Sequence, residues 1–215
     1  MGKVSGNQLV VRALLDEGID TAFYLTGGPI VDVAREALAA GIQCVDTRHE
    51  QAASMAAHAY SRVSGKPGVC FAASGPGTTN LITGVGNAFL DAVPVVTLGG
   101  ASAISQDGMG AFQEMDQVGM FRPITKWAER IVDPRRIPEY INKAFRVATS
   151  GQPGPVYLDL PGDMLYRRVE EEEVLFPRSP HRVPRLAADP AEVKRAIALL
   201  AAAERPIVVT GSGVL

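Results

Sequence analysis

The sequence predicts an α/β protein: an open, mainly parallel sheet with helices on both faces, followed by the start of a second, truncated α/β domain. Three observations carry that prediction. The hydrophobic period switches repeatedly between helical and strand-like. The strand-like runs are short, apolar and rich in β-branched residues, and helix-length segments of about 10–15 residues separate them, the pattern of βαβ units. Composition agrees, because 47% hydrophobic and 20% charged residues in a chain of 215 is a globular balance that a disordered chain lacks.

Each element follows from local signals. Ser5 with Gln8 three residues on forms a capping box, apolar Leu9, Val10, Ala13 and Leu14 follow at helical spacing, and Gly18 ends that helix. Thr21 to Leu25 reads as a strand, Thr26-Gly27-Gly28-Pro29 as a turn, and Ile30 to Ala40 as a helix closed by Gly41. Ile42 to Asp46 is the next strand, and Arg48-His49-Glu50 leads into an Ala-rich helix ending near Val63. Gly68 to Ala73 is a strand that runs into Ser74-Gly75-Pro76-Gly77-Thr78-Thr79-Asn80, then a helix to Leu90 and a strand from Val93 to Leu98.

Gly99 to Met120 has weak periodicity and reads as a loop of the length that usually carries function. Ile124 to Ile131 and Val156 to Leu160 are strand-like, with a helix opened by Pro134 or Pro138 between them. From Arg167 the texture changes. The acidic run Glu170 to Glu173 reads as a solvated face, and Pro177, Pro180 and Pro184 mark a linker. Asp189-Pro190 then caps a helix, and Pro206 to Thr210 reads as a strand. A helix and one strand cannot bury a core alone. The expected division is a first domain over 1–168, a linker over 169–188, and over 189–215 the beginning of a domain that the chain does not complete.

Charge and cysteine content exclude several classes. Lys plus Arg is 21 against 23 for Asp plus Glu, so the basic excess of a nucleic-acid binder is missing. No apolar run is long enough to span a membrane, and the N-terminus lacks the stretch of a secretory signal. Met1-Gly2 opens like a myristoylation motif, but Gly6 stands where Ser or Thr is needed. Cys44 and Cys70 lie in apolar strands and read as packed thiols, consistent with a reducing cytoplasm. Three His and two Cys leave little from which to build a zinc site.

Four constellations could carry chemistry. Gly75-Pro76-Gly77-Thr78-Thr79-Asn80 joins a strand to a helix, where backbone N–H groups can meet an anion. As a dinucleotide fingerprint it fails twice: Asn80 replaces the third glycine, and no acid stands near Thr97 to Gly100. A tight turn that needs glycines is the simpler reading. His49-Glu50 opens a helix, but Ala53 breaks the H-E-x-x-H pattern, and His58 reads as a structural partner.

Glu50 has two readings. One is a first-turn carboxylate favoured by the helix dipole, worth about 0.3–1 kcal/mol. The other is a catalytic carboxyl at the C-terminal end of a parallel strand; full burial can raise a Glu pKa by several units, at about 1.36 kcal/mol each, and make it a proton partner near neutrality. Spacing alone leaves both open. Ser74 lacks a nucleophile-elbow frame, since Ala72 and Pro76 hold the glycine positions. Phe112-Gln113 offers an apolar wall and an amide handle to a pocket, or ordinary loop packing.

Read together, the pieces resemble a known family. Asp46-Thr47-Arg48-His49-Glu50-Gln51-Ala52-Ala53, Ala59-Tyr60-Ser61-Arg62 and Gly65-Lys66-Pro67-Gly68-Val69 resemble the N-terminal pyrimidine-binding domain of thiamine diphosphate (TPP) enzymes. Ser74 to Leu81 and Phe112-Gln113-Glu114 resemble the acetolactate synthase branch, and Ile124 to Ala128 with Pro153 to Val156 extend the match. The stretches Asp46 to Glu50 and Thr125 to Ala128 also resemble benzaldehyde lyase. The likeness runs from about Ser5 to Leu165 and on into the start of the family's central domain.

The resemblance implies roles. Glu50 matches the glutamate that hydrogen-bonds N1′ of the cofactor aminopyrimidine, favouring the 4′-imino tautomer whose nitrogen takes the thiazolium C2 proton, so that the thiazolium acts as electron sink. Thr26 and Gly27 match the loop over the pyrimidine, Gly77 and Asn80 its other edge, and Gln113 with Phe112 the substrate side. The implied activity is that of a carboligase, decarboxylase or lyase on 2-keto acids, aldehydes or 2-hydroxy ketones.

Magnesium and the cofactor diphosphate are implied to sit on a C-terminal domain whose Gly-Asp-Gly…Asn motif this chain lacks, so the chain alone is expected to be inactive. FAD is admitted without being decided, and a homodimer or dimer of dimers is implied. Tyr24-Leu25-Thr26-Gly27-Gly28 departs from the Gly-Tyr-Pro-Gly-Gly of acetolactate synthases, and Thr26 and Pro29 from the histidines of benzaldehyde lyase, so substrate and branch stay open. Two other readings compete. One is a half-site subunit whose partner supplies the diphosphate site, which the start of a further domain argues against. The other is a nucleotide-binding Rossmann protein, which Asn80 and the missing acid disfavour.

Overall fold

The computed structural model describes residues 2–177 and 187–211, and the chain divides into two units, Met1–His181 and Arg182–Leu215. The first unit opens with a short strand, β1 (Lys3–Ser5), and a helix, α1 (Gly6–Asp16). The capping box at the start of α1 forms as the sequence predicts: Ser5 Oγ accepts from Gln8 N at 3.3 Å and Gln8 Oε1 accepts from Ser5 N at 3.0 Å. Strands β2 (Thr21–Leu25), β3 (Gln43–Asp46) and β4 (Gly68–Ala72) alternate with helices α2 (Val31–Ala39) and α3 (Glu50–Ser64). After β4 come α4 (Pro76–Asn80), α5 (Ile82–Leu90), β5 (Val95–Ala101), α6 (Gln117–Phe121), β6 (Trp127–Arg130), α7 (Ile137–Thr149) and β7 (Val156–Pro161). The unit closes with α8 (Gly162–Tyr166) and β8 (Arg168–Glu170).

Strands β2 to β7 form one sheet in the order β3-β2-β4-β5-β7-β6, and every neighbouring pair is parallel. Strand pleating sends alternate side chains to opposite faces. Val69, Phe71, Val96, Leu98, Val156 and Leu158 pack with α1, α2 and α7 on one face. Cys70, Ala72, Val95 and Tyr157 pack with α3, α5 and α6 on the other. The near-continuous apolar strands in the sequence are those of a sheet covered on both sides. The open parallel α/β fold with helices on both faces is therefore what the chain forms.

Several expectations are corrected. The helix expected up to Leu90 is present as α5, but the turn before it is itself a short helix, α4, divided from α5 at Leu81, whose N–H bonds to Thr78 O, three residues back. The loop expected over Gly99 to Met120 is shorter at both ends: β5 extends to Ala101, and α6 begins at Gln117 where Asp116 Oδ1 accepts from Gly119 N at 2.9 Å. The strand expected over Ile124 to Ile131 is only β6, because a 3-10 turn occupies Arg122–Ile124.

The stretch after residue 168 is not all linker. β8 pairs antiparallel with β1, Val4 opposite Val169, and Val174 and Phe176 pack against the core. Cys44 is half-buried and Cys70 buried, both as free thiols, and burial pushes the Cys70 thiol up to about 12.

In the second unit, Asp189 caps α9 (Pro190–Ala202), its Oδ1 accepting from Ala191 N at 2.8 Å. The strand expected over Pro206 to Thr210 is irregular chain with Ile207, Val208 and Val209 exposed. A strand needs a neighbour to bond to, and residues 206–210 pair with no strand among the described residues. The Ser and Gly that follow at 212 and 213 lie outside the described residues, as do Pro180 and Pro184 of the expected linker.

Candidate cofactor site at the sheet switch point

The strand order reverses at β2. From it the chain moves outward to β3, then crosses back to β4 on the other side. Open α/β sheets bind ligands in the crevice at the carboxyl ends of strands flanking such a point. The loops after β2 and β4 meet there: Ser74 N donates to Gly28 O at 3.1 Å. A Cβ on Gly27 would lie 2.6 Å from Ala73 Cβ, so only glycine allows this approach.

Glu50 reaches the same place from the join of β3 to α3. The Thr47 hydroxyl donates to Tyr24 O at 3.0 Å and ties that join to β2. His49 adopts extended backbone, and its Nδ1 accepts the Gln51 N–H at 3.2 Å, capping α3. Glu50 is thereby the first helical residue, but it is turned inward and only 9% exposed. The turn after β4 meets it. Asn80 Nδ2 donates to Glu50 Oε2 at 2.9 Å. A Cβ on Gly77 would come within 3.2 Å of Glu50 Oε1 and 3.1 Å of Ala73 Cβ.

Gly27 and Gly77 thus flank Ala73, while Gly77 and Asn80 face the Glu50 carboxyl. Gln113 joins them through Ser74, whose Oγ donates to Gln113 Oε1 at 3.0 Å. Gln113 holds φ at +60°, a left-handed conformation uncommon outside glycine. Thr26 stands exposed at the carboxyl end of β2. Phe112 is 86% exposed and stays out of the cluster. The loop bearing Phe112 and Gln113 is tied by Glu114, which accepts from Gly108 N at 2.5 Å and Ala111 N at 3.0 Å. Those two N–H groups hold its carboxyl below the usual range.

Sequence reasoning missed a buried polar group behind this cluster. Gln117 is 1% exposed. Its Oε1 accepts the Gly75 N–H. Its Nε2 lies within hydrogen-bond distance of Gly100 O at 3.0 Å, Tyr157 OH at 2.9 Å and Asp159 Oδ1 at 2.5 Å. Asp159 is fully buried and accepts from Tyr157 OH at 2.5 Å and from Arg130 Nε at 2.7 Å. Burial pushes the Asp159 carboxyl up, against the pull of Tyr157, Arg130 and Gln117.

His58 is a structural partner, as expected: its Nδ1 meets Asn87 Nδ2 at 3.2 Å and its Nε2 lies 3.2 Å from Asp91 Oδ2. Among the described residues, no three His, Cys, Asp or Glu side chains are grouped to hold a metal ion. No described helix is long and apolar enough to cross a membrane.

Comparison with known proteins gives this arrangement a lineage. Residues 4–120 match the family model described as thiamine pyrophosphate enzyme, N-terminal TPP binding domain. The chain is 39% identical over 215 residues to a probable acetolactate synthase large subunit of Methanocaldococcus jannaschii, covering 99% of this chain and 36% of that protein. It is 40% identical over 220 residues to the acetolactate synthase isozyme 3 large subunit of Escherichia coli, covering 100% of this chain and 38% of the relative. Escherichia coli oxalyl-CoA decarboxylase is 38% identical over 212 residues, which span 97% of this chain and 38% of that enzyme. The chain therefore spans little more than a third of the length of these relatives. With the family model matched across more than half of its residues, the chain belongs to the thiamine pyrophosphate enzymes, as an N-terminal TPP-binding domain.

Proposed function

We propose that this chain supplies the aminopyrimidine half of the cofactor site in an acetolactate synthase-like enzyme, a carboligase, decarboxylase or lyase acting on 2-keto acids or 2-hydroxy ketones. One observation carries the reading. A nearly buried carboxylate, Glu50, sits at the switch point with an amide on one oxygen and a glycine facing the other. Those residues fit a planar nitrogen heterocycle: the missing side chain at Gly77 leaves room beside Oε1, and a carboxyl can hold or give up a proton to a ring nitrogen. When bound, thiamine diphosphate supplies the electron sink that carbon–carbon cleavage or ligation of a keto acid requires.

The chain's own residues orient and exclude. Asn80 holds Oε2, so Oε1 is the oxygen left to exchange a proton. Gly77 faces that oxygen with Ala73 and Gly27 packed beyond it, while Thr26 lies exposed on the loop that carries Gly27. Gln113 and Phe112 are read as facing the substrate. Mg²⁺ and diphosphate bound by a further domain, and a homodimer or dimer of dimers, enter this proposal from the resemblance. The comparable identity to oxalyl-CoA decarboxylase favours a second reading in which the substrate is an acyl-CoA keto acid.

In the holoenzyme, Glu50→Gln should slow hydrogen–deuterium exchange at the C2 position of bound thiamine diphosphate by about a hundredfold or more, within the usual reach of a proton-transfer group. An unchanged exchange rate, followed by NMR after acid quench, would remove Glu50 from the role. Turnover of a 2-keto acid against oxalyl-CoA by the same preparation separates the two substrate readings.

A further inference from the structure

Behind the proposed cofactor site lies a chain of polar contacts, buried from Asp159 inward, that the proposed function does not use. It starts at the surface in the long loop at Asp107, an exposed carboxylate whose Oδ2 accepts from Arg130 Nη1 at 2.8 Å. Arg130 in turn donates through Nε to Asp159 Oδ2, and Asp159 Oδ1 faces Gln117 Nε2. Gln117 is the last link, with its amide oxygen on the Gly75 N–H. The orientation of that amide is dictated. Three acceptor-capable atoms, on Gly100, Tyr157 and Asp159, surround its nitrogen, so its oxygen must point to the N–H donor.

Gly75 is the hinge of the turn. Its φ of +59° places it where side chains rarely go, and it precedes α4 directly. Pro76 follows with no N–H of its own, so Gly75 N is the backbone donor that Gln117 can grip at the head of the turn. Gly77 and Asn80, two and five residues on, are the groups set against Glu50. A buried polar network that is fully paired fixes one arrangement of the parts it joins.

We propose that Gln117 is a positioning residue of the cofactor site: held on the sheet by Asp159, Tyr157 and Gly100, it fixes Gly75 and so sets Gly77 and Asn80 against Glu50. The inference rests on the reading of Glu50 as the aminopyrimidine contact. Gln117 touches no reacting atom and acts only through the turn.

Two substitutions in the holoenzyme separate positioning from stability. Gln117→Met keeps the volume but offers Gly75 no oxygen. Gln117→Glu keeps an acceptor for Gly75 but sets a second carboxyl against buried Asp159. Thiamine diphosphate Kd, measured by equilibrium dialysis on the cofactor-stripped enzyme with Mg²⁺ present, should rise about tenfold in Gln117→Met and stay within about threefold of the parent in Gln117→Glu. Melting temperature should rank the other way, with Gln117→Glu the less stable. A Kd unchanged in Gln117→Met, or one that tracks melting temperature across both variants, overturns the proposal.

A measurement on the unaltered protein stands apart from folding of the variants. The Gly75 amide should be protected from hydrogen exchange in the cofactor-free enzyme, and exchange at the rate of an open loop would also overturn it. Glu50→Gln assayed alongside tells the two readings apart. If Glu50→Gln slows C2 exchange while Gln117→Met changes neither Kd nor exchange, only the positioning role falls. If Glu50→Gln changes nothing, the cofactor reading falls and takes this one with it.

Discussion

At the scale of single residues, the site is defined by what side chains leave out as much as by what they offer. A Cβ at Gly77 would sit 3.2 Å from Glu50 Oε1 and 3.1 Å from Ala73 Cβ, tight enough to push the carboxyl but not to break the helix, where alanine is in fact preferred over glycine. Gly77→Ala should therefore leave the melting temperature within about 2 °C of the parent and weaken thiamine diphosphate binding by roughly tenfold, since displacements well under 1 Å matter at a built site. Equal losses of stability and affinity would mean that Gly77 serves packing alone. Glu114 makes a pH prediction. Its carboxyl is held below the ordinary range by the Gly108 and Ala111 N–H groups. A depressed folded pKa gives stability that is present above the unfolded value and lost as pH falls through the folded one. Protection of the Gly108 and Ala111 amides, corrected for intrinsic exchange, should hold through the ordinary carboxylate range and decline only at more acidic pH. Glu114→Gln should lower it already at neutral pH and flatten the dependence.

At the scale of elements, α3 matters most because it carries Glu50 on its first turn and packs along α5. The crossing has no slack. A Cβ on Gly84 would meet Ser54 Oγ at 2.2 Å, Ser54 Cβ at 2.7 Å and Met55 N at 2.8 Å. Rotating Ser54 relieves the first contact but not the backbone one. Gly84→Ala should cost about 2 kcal/mol despite its better helix propensity, and lower the melting temperature by roughly 4–8 °C. A neutral effect in a denaturant titration would show that the two helices can slide apart. The sequence announces both helices through their periodicity; at Glu50 spacing leaves a dipole-favoured carboxylate and a catalytic one both open, and only the resemblance chooses between them. The sequence does not announce Gln117. The partners of that amide stand 17, 40 and 42 residues away, and a lone glutamine in a weakly periodic loop shows nothing until the strands are assembled. Glu171, Glu172 and Glu173 of the acidic run are exposed, as composition suggests, yet its first residue, half-buried Glu170, ends β8, a strand three residues long and too short to stand out by alternation.

At the scale of the first unit, the two ends of the chain segment close on each other. β1 and β8 pair with Val4 opposite Val169, and both valines are buried in the core cluster with α1 and α7. Around them, Lys3 approaches Glu170 at 3.4 Å and Arg12 meets Glu171 at 2.6 Å, while the Arg12 guanidinium lies 4.4 Å over the Phe176 ring. The ion pairs are solvent-facing, so screening leaves them little weight; the apolar pair should dominate. This contact joins segments more than 160 residues apart, and its closure entropy is recovered only when the whole sheet between them is in place. The valines should therefore act as a pair. Val4→Ala and Val169→Ala should each cost about 1–2 kcal/mol. The double substitution should cost less than their sum by about 0.5–1 kcal/mol, the range of cross-strand coupling. Urea titrations of the four proteins give the cycle. Additivity within about 0.3 kcal/mol would mean that β1 and β8 pack independently on the core, and that the clasp is two contacts rather than one.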